Sequence, residues 1–109
     1  MAFDEALASR IRQQLGKRKG LVEKKMFGGF GFLLNGNMCC GVSGDEMIVR
    51  LDPTATEKAL KKPHVRLFEV GGRTMKGWIL IHPDGLSTEA ALSKWVETAV
   101  SYAGSLPAK

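Results

Sequence analysis

Phe3, Leu7, Ile11 and Leu15 recur at every fourth position with Ala6 beside them, the spacing of a helix that buries one stripe. Asp4 stands near its start. Gly16 and Gly20 bracket Lys17, Arg18 and Lys19 at its far end, where the helix dipole favours cations. From Leu21 onward the apolar period falls to two, and Gly, Asn and Ser clusters divide the stretch into strands over Leu21–Met26, Phe30–Leu34, Met38–Val42 and Glu46–Leu51. The central hairpin has two registers open to it. A two-residue Asn35-Gly36 turn sets Phe32 opposite Cys39. A three-residue loop with a bulge sets it opposite Cys40 and aligns Phe30, Phe32 and Leu34 with Val42, Cys40 and Met38 on one apolar face, which favours the longer loop. Met47, Val49 and Leu51 continue the alternation, leaving Ile48 and Arg50 on the other face.

Asp52-Pro53 signals a helix start, since Asp caps free N–H groups and proline fits the first helical position. The short helix runs from Pro53 through Leu60 and stops before Lys61-Lys62-Pro63. Leu67–Val70 reads as a strand, Gly71-Gly72 as a turn and Trp78–His82 as a return strand. Ser87 is the expected N-cap of a final helix whose apolar stripe is Ala91, Leu92, Trp95, Val96, Ala99, Val100 and Ala103. The resulting order, α-β-β-β-β-α-β-β-α, is an α+β fold in which an antiparallel sheet of about five to six strands packs against helices. Trp78 and Trp95 are expected in the core, one on the sheet and one on the last helix.

Composition narrows the class. The 109 residues suit one domain over residues 1–109 with no second domain, and 44% hydrophobic with 25% charged residues exclude a disordered chain. The N-terminus has no apolar leader, no stretch reaches membrane-spanning length, and the two cysteines are adjacent, which argues against a disulfide framework. A cytoplasmic protein with no membrane partner is expected. Sixteen basic against eleven acidic residues leave a net charge of +5, concentrated where Lys17, Arg18, Lys19, Lys24 and Lys25 surround Glu23. These five are the candidate phosphate contacts, although position at a helix C-terminus already accounts for the first three.

Candidate chemistry is sparse. Gly28, Gly29 and Gly31 lack the Lys-Ser/Thr ending of a phosphate loop and enter a strand rather than a helix, so they read as a turn or bulge. Cys39 and Cys40, as successive strand residues, should point to opposite faces, and His64 and His82 stand alone in sequence. No nucleophile elbow, zinc-protease motif or paired-carboxylate spacing occurs. The sequence therefore assigns no catalytic residue, no cofactor and no metal ligand.

Met26-Phe27-Gly28-Gly29-Phe30-Gly31-Phe32, Asn35-Gly36, Val49-Arg50 and, farther on, Gly72-Arg73-Thr74-Met75-Lys76-Gly77-Trp78 resemble, in the same order, the TfoX N-terminal domain family. Leu92, Trp95 and Ser105-Leu106-Pro107 extend the likeness to nearly the whole chain. The resemblance implies an α+β fold similar to secretion-chaperone-like domains. In the best-known members a helical C-terminal domain follows, and the pair promotes expression of natural-competence genes alongside a transcription activator. Without that second half, the expectation is a non-enzymatic regulatory or protein-interaction module. Its partner is an unknown protein, with Arg73 and Lys76 as a candidate contact pair, although the turn glycines and Trp78 already give that segment an architectural role. A homodimer through Leu33, Cys39 and Ile48 is a further expectation. Sequence-specific DNA binding is not expected, because no helix presents Arg, Asn or Gln at base-reading spacing, and weak sequence-independent binding of nucleic acid is the alternative. An enzyme or small-ligand carrier ranks behind both.

Overall fold

The computed structural model describes residues 4–26, 29–70 and 72–108, without the side chains of Met26, Val70, Met75 and Lys76. Phe3, the Phe27-Gly28 part of the glycine-rich block, Gly71 and the Lys76 side chain lie outside the described residues.

Helix α1 (Glu5–Leu15) begins where Asp4 accepts hydrogen bonds from the amides of Ala6 and Leu7 at 2.9 and 3.1 Å, and buries Leu7, Ala8, Ile11 and Leu15. Strands β1 (Leu21–Met26), β2 (Gly29–Leu34), β3 (Asn37–Ser43) and β4 (Glu46–Arg50) follow as a meander. Pro53–Ala55 forms a 3-10 turn capped by Asp52 and leads into helix α2 (Thr56–Leu60). Strands β5 (Val65–Val70) and β6 (Arg73–Ile81) come next, then a 3-10 turn over Pro83–Leu86 and helix α3 (Glu89–Ser105). The six strands lie in the order β1-β2-β3-β4-β6-β5 with every neighbouring pair antiparallel, so β1 and β5 are the edges.

All three helices share one apolar core with one face of the sheet, and α3 lies across β3 and β4. Ile11, Phe32, Val42, Met47, Val49, Ile79, Ile81, Leu92 and Val96 are fully buried there. A second cluster of Met38, Ile48, Phe68 and Leu80, with Trp78 packed against it, forms apart from the first, where Ile48 pairs with Leu80 across β4 and β6. Trp78 and Trp95 are half-buried rather than enclosed, each packed on the margin of a cluster. Each also meets a cation: the Arg50 guanidinium lies 5.3 Å from the Trp78 ring and the Lys62 ammonium 5.2 Å from the Trp95 ring.

The β2–β3 hairpin combines the two expected registers. Leu34 pairs with Asn37, so Asn35-Gly36 is a two-residue turn, with both φ values positive at 54° and 85° as a twisted hairpin turn requires. Phe32 nevertheless pairs with Cys40, because the register shifts between Phe32 and Leu33 and leaves Cys39 as an extra residue in β3. The bulge lies within the strand, not in the loop.

The β5–β6 hairpin is irregular as well. Leu67 pairs with Ile79 and Glu69 with Thr74, so β6 carries Met75, Lys76, Gly77 and Trp78 opposite the single residue Phe68. Gly77 takes φ 89° there, and its amide donates to the buried Thr56 hydroxyl at 3.0 Å while its carbonyl accepts from Leu51 at 2.9 Å. A Cβ at this position would stand 3.1 Å from the Leu51 carbonyl oxygen, so both backbone conformation and space call for glycine. Helix α3 starts one residue later than the sequence suggests. Thr88 is extended and accepts from the Ala91 amide at 3.1 Å, whereas Ser87 is already helical and does not cap.

Candidate functional site

The basic stretch between α1 and β1 is reorganised by two ion pairs. Arg12 in the last turn of α1 grips both oxygens of Glu23 at 2.7 and 2.9 Å. This carboxylate raises the Arg12 pKa through the hydrogen bond and its charge. Arg18 turns inward, donating to the Leu15 carbonyl at 2.9 Å and pairing with Glu97 of α3 at 3.3 Å. Of the five candidate phosphate contacts, Arg18 is thus committed to the fold, while Lys17, Lys19, Lys24 and Lys25 are exposed and make no ion pair among the described residues. With Glu23 neutralised by Arg12, the four lysines define a positive rim, Lys24 and Lys25 on edge strand β1 and Lys17 and Lys19 in the turn that leads into it.

The backbone of that edge is also open. The Asn35 amide donates to the Gly20 carbonyl at 2.9 Å, and alternation from this pair turns the polar groups of Leu21, Glu23 and Lys25 away from β2. The Leu21 amide is used by the Arg18 carbonyl at 3.3 Å, and the Glu23 and Lys25 amides face outward. Val22 at 57% exposure is the one large apolar side chain among the described residues left in solvent, and it sits on the same strand.

Arg73, the other expected partner contact, is exposed at the start of β6, the strand next to edge β5 and four strands away from β1. The two sets of candidate contacts are therefore separate surfaces.

The cysteines depart from simple alternation. The bulge at Cys39 places both Cys39 and Cys40 in the helix-covered core, both with no exposure. The neighbouring Cys40 thiol lowers the Cys39 pKa against the effect of burial, with help from the Arg18 charge. Cys40 is pushed well up by the neighbouring Cys39 thiol and by its own burial. The self-association surface drawn from Leu33, Cys39 and Ile48 does not form as expected, since Cys39 faces the helices and Ile48 is fully buried.

The structure also joins residues that are far apart in sequence. His64 and His82 face each other at the end of the β5–β6 ladder, where the His82 amide donates to the His64 carbonyl at 2.8 Å. The signal was the strand register: Val65 pairs with Ile81, so the next pair outward is His64 with His82. Strand β5 starts two residues earlier than its apolar run suggests, which hid the pair.

Three comparisons bear on kinship. A family model described as the TfoX N-terminal domain matches residues 13–103. No curated protein and no solved structure matches the chain. No helix among the described residues is long and apolar enough to cross a membrane.

Proposed function

Since the chain belongs to the TfoX N-terminal domain family, we propose that it is a non-enzymatic regulatory module of the cytoplasm that acts through protein contacts linked to transcription or competence control. The observation that carries this reading is the β1 edge. Outward-facing Glu23 and Lys25 amides, exposed Val22 and four unpaired lysines together suit an extended, acidic segment of a partner that adds a strand to the sheet. Main-chain pairing supplies affinity in such a contact, and the lysines supply orientation and rate of encounter. Lysines on an edge strand also keep like chains from pairing with one another, so the same residues discriminate an acidic partner from a second copy.

A photo-crosslinking side chain in place of Val22, with one in place of Arg66 as the control, tests this in the native host. The expected result is a discrete protein adduct at Val22 that is lost in the Lys24→Glu/Lys25→Glu variant. Adducts at Arg66 alone would contradict the reading. A second reading, weak sequence-independent binding of nucleic acid, draws on the same lysines as phosphate contacts. It gains support if the Val22 adduct is nucleic acid, and an adduct to a second copy of the chain would make the partner a homodimer.

A further inference from the structure

We infer that His64, His82 and Asp84 form a binding site for one divalent transition-metal ion of the zinc, nickel or copper type. One donor atom from each of the three lies within 4.8 Å of the others. They come from two elements that the fold fixes against each other. His64 and His82 close the β5–β6 ladder through the 2.8 Å backbone bond, and Asp84 follows in the 3-10 turn Pro83–Leu86. Gly85 of that turn approaches so closely that a Cβ on it would lie 3.0 Å from the His64 Cβ. The histidine ring centroids are 6.0 Å apart and the rings inclined by 30°.

The hydrogen bonding identifies a lone pair that a cation would accept. His82 Nδ1 accepts the Asp84 amide at 3.1 Å, so this nitrogen carries no proton in that arrangement. The Asp84 carboxylate oxygen stands 3.6 Å from the same nitrogen. That separation is close to the spacing of roughly 3.3 Å between two ligands on a tetrahedral ion with bonds of about 2.0–2.1 Å. Binding exchanges the amide bond for a metal bond, and the freed amide is exposed to water. All three side chains are exposed, so the remaining closure needs only rotation about side-chain bonds.

Two imidazoles and one carboxylate are a borderline donor set, suited to zinc, copper and nickel and poorly matched to calcium or magnesium. Three protein ligands leave one tetrahedral position for water or an incoming ligand. That position opens on a cleft of about 370 Å³ lined by Glu46, His64, Val65, Arg66, His82 and Asp84. The backbone at His64 adds an independent sign of specialisation: its φ is +68°, one of two positive values among the described non-glycine residues. The other, Asn35, is explained by its hairpin turn, whereas His64 takes this conformation at the residue whose carbonyl accepts from the His82 amide.

The test is titration of the tag-free, chelator-treated chain with Zn²⁺ by calorimetry, with Co²⁺ absorption as a report of coordination geometry. The expected result is one ion per chain, with affinity lowered at least about tenfold in His82→Gln and in Asp84→Asn. His64→Asn, which keeps a residue tolerant of positive φ, should lose as much. The Cys39→Ser/Cys40→Ser variant, which removes the soft ligands elsewhere in the chain, should bind as the parent does, and circular dichroism of every variant checks that it is folded. Binding that ignores the His64 and Asp84 substitutions, that disappears with the cysteines, or that fails to reach one ion per chain would overturn the site.

Discussion

Arg12 and Glu23 join the last turn of α1 to edge strand β1 through two hydrogen bonds of 2.7 and 2.9 Å. The pair removes the one negative charge from the basic stretch, so its consequence is as much electrostatic as structural. Both partners are partly exposed, which limits the stability they contribute to about 1 kcal/mol or less. Arg12→Ala should therefore shift urea unfolding only slightly while exposing Glu23 beside Lys24 and Lys25. The variant should also bind an acidic peptide more weakly than the parent, read by fluorescence anisotropy at low salt.

Core and margin should separate in stability measurements. Ile79 is fully buried in the helix-covered cluster, and Ile79→Ala should cost about 2–5 kcal/mol. Trp78 and Trp95 are half-buried, so truncating either to alanine should cost less than a fully enclosed tryptophan would, about 1–3 kcal/mol. Denaturant unfolding of the three variants checks the order.

The cap of α3 offers a comparison between neighbours. Thr88→Ala should cost about 0.5–2 kcal/mol through loss of the bond to the Ala91 amide, and Ser87→Ala should be nearly neutral. Equal losses at both positions would contradict the cap geometry.

The cysteine pair predicts an alkaline weakness. Cys40 has a raised pKa in the folded chain, so its contribution to stability is intact below its unfolded value, 9.0, and is lost as pH rises beyond it. Cys39 is shifted the other way: its contribution is present above its unfolded value and is lost as pH falls through its folded one. Because the Cys40 pKa is raised on folding, the parent should lose stability above about pH 9 more steeply than Cys40→Ala. Urea midpoints across that range give the two slopes, and parallel slopes would rule the coupling out.

Much of the fold is legible in period and punctuation. The α1 stripe, the meander, the Asp52-Pro53 helix start and the α3 stripe all follow from spacing that solvent exclusion enforces. Departures arise where tertiary packing overrides local alternation. The Cys39 bulge lets Phe32 meet Cys40 across a two-residue turn, and it turns two successive thiols to the same face, which simple alternation forbids. Ser87 and Thr88 are chemically equivalent caps, and only backbone conformation distinguishes them. The tryptophans look like core residues because of their size, yet each keeps one side for a cation. The candidate sites were legible unevenly. The lysines of the rim stand out in sequence, but the neutralising grip of Arg12 on Glu23 and the inward turn of Arg18 depend on packing. The meeting of His64 and His82 depends on strand register.

The central claim, that β1 is the docking edge, is tested most directly by amide hydrogen exchange of the chain alone and with the protein captured by crosslinking at Val22. The account predicts that the outward amides of Glu23 and Lys25 gain protection on binding while those of the opposite edge, β5, do not change. Protection confined to β5 or to the hairpin at Arg73, with Glu23 and Lys25 exchanging as in the free chain, would contradict it.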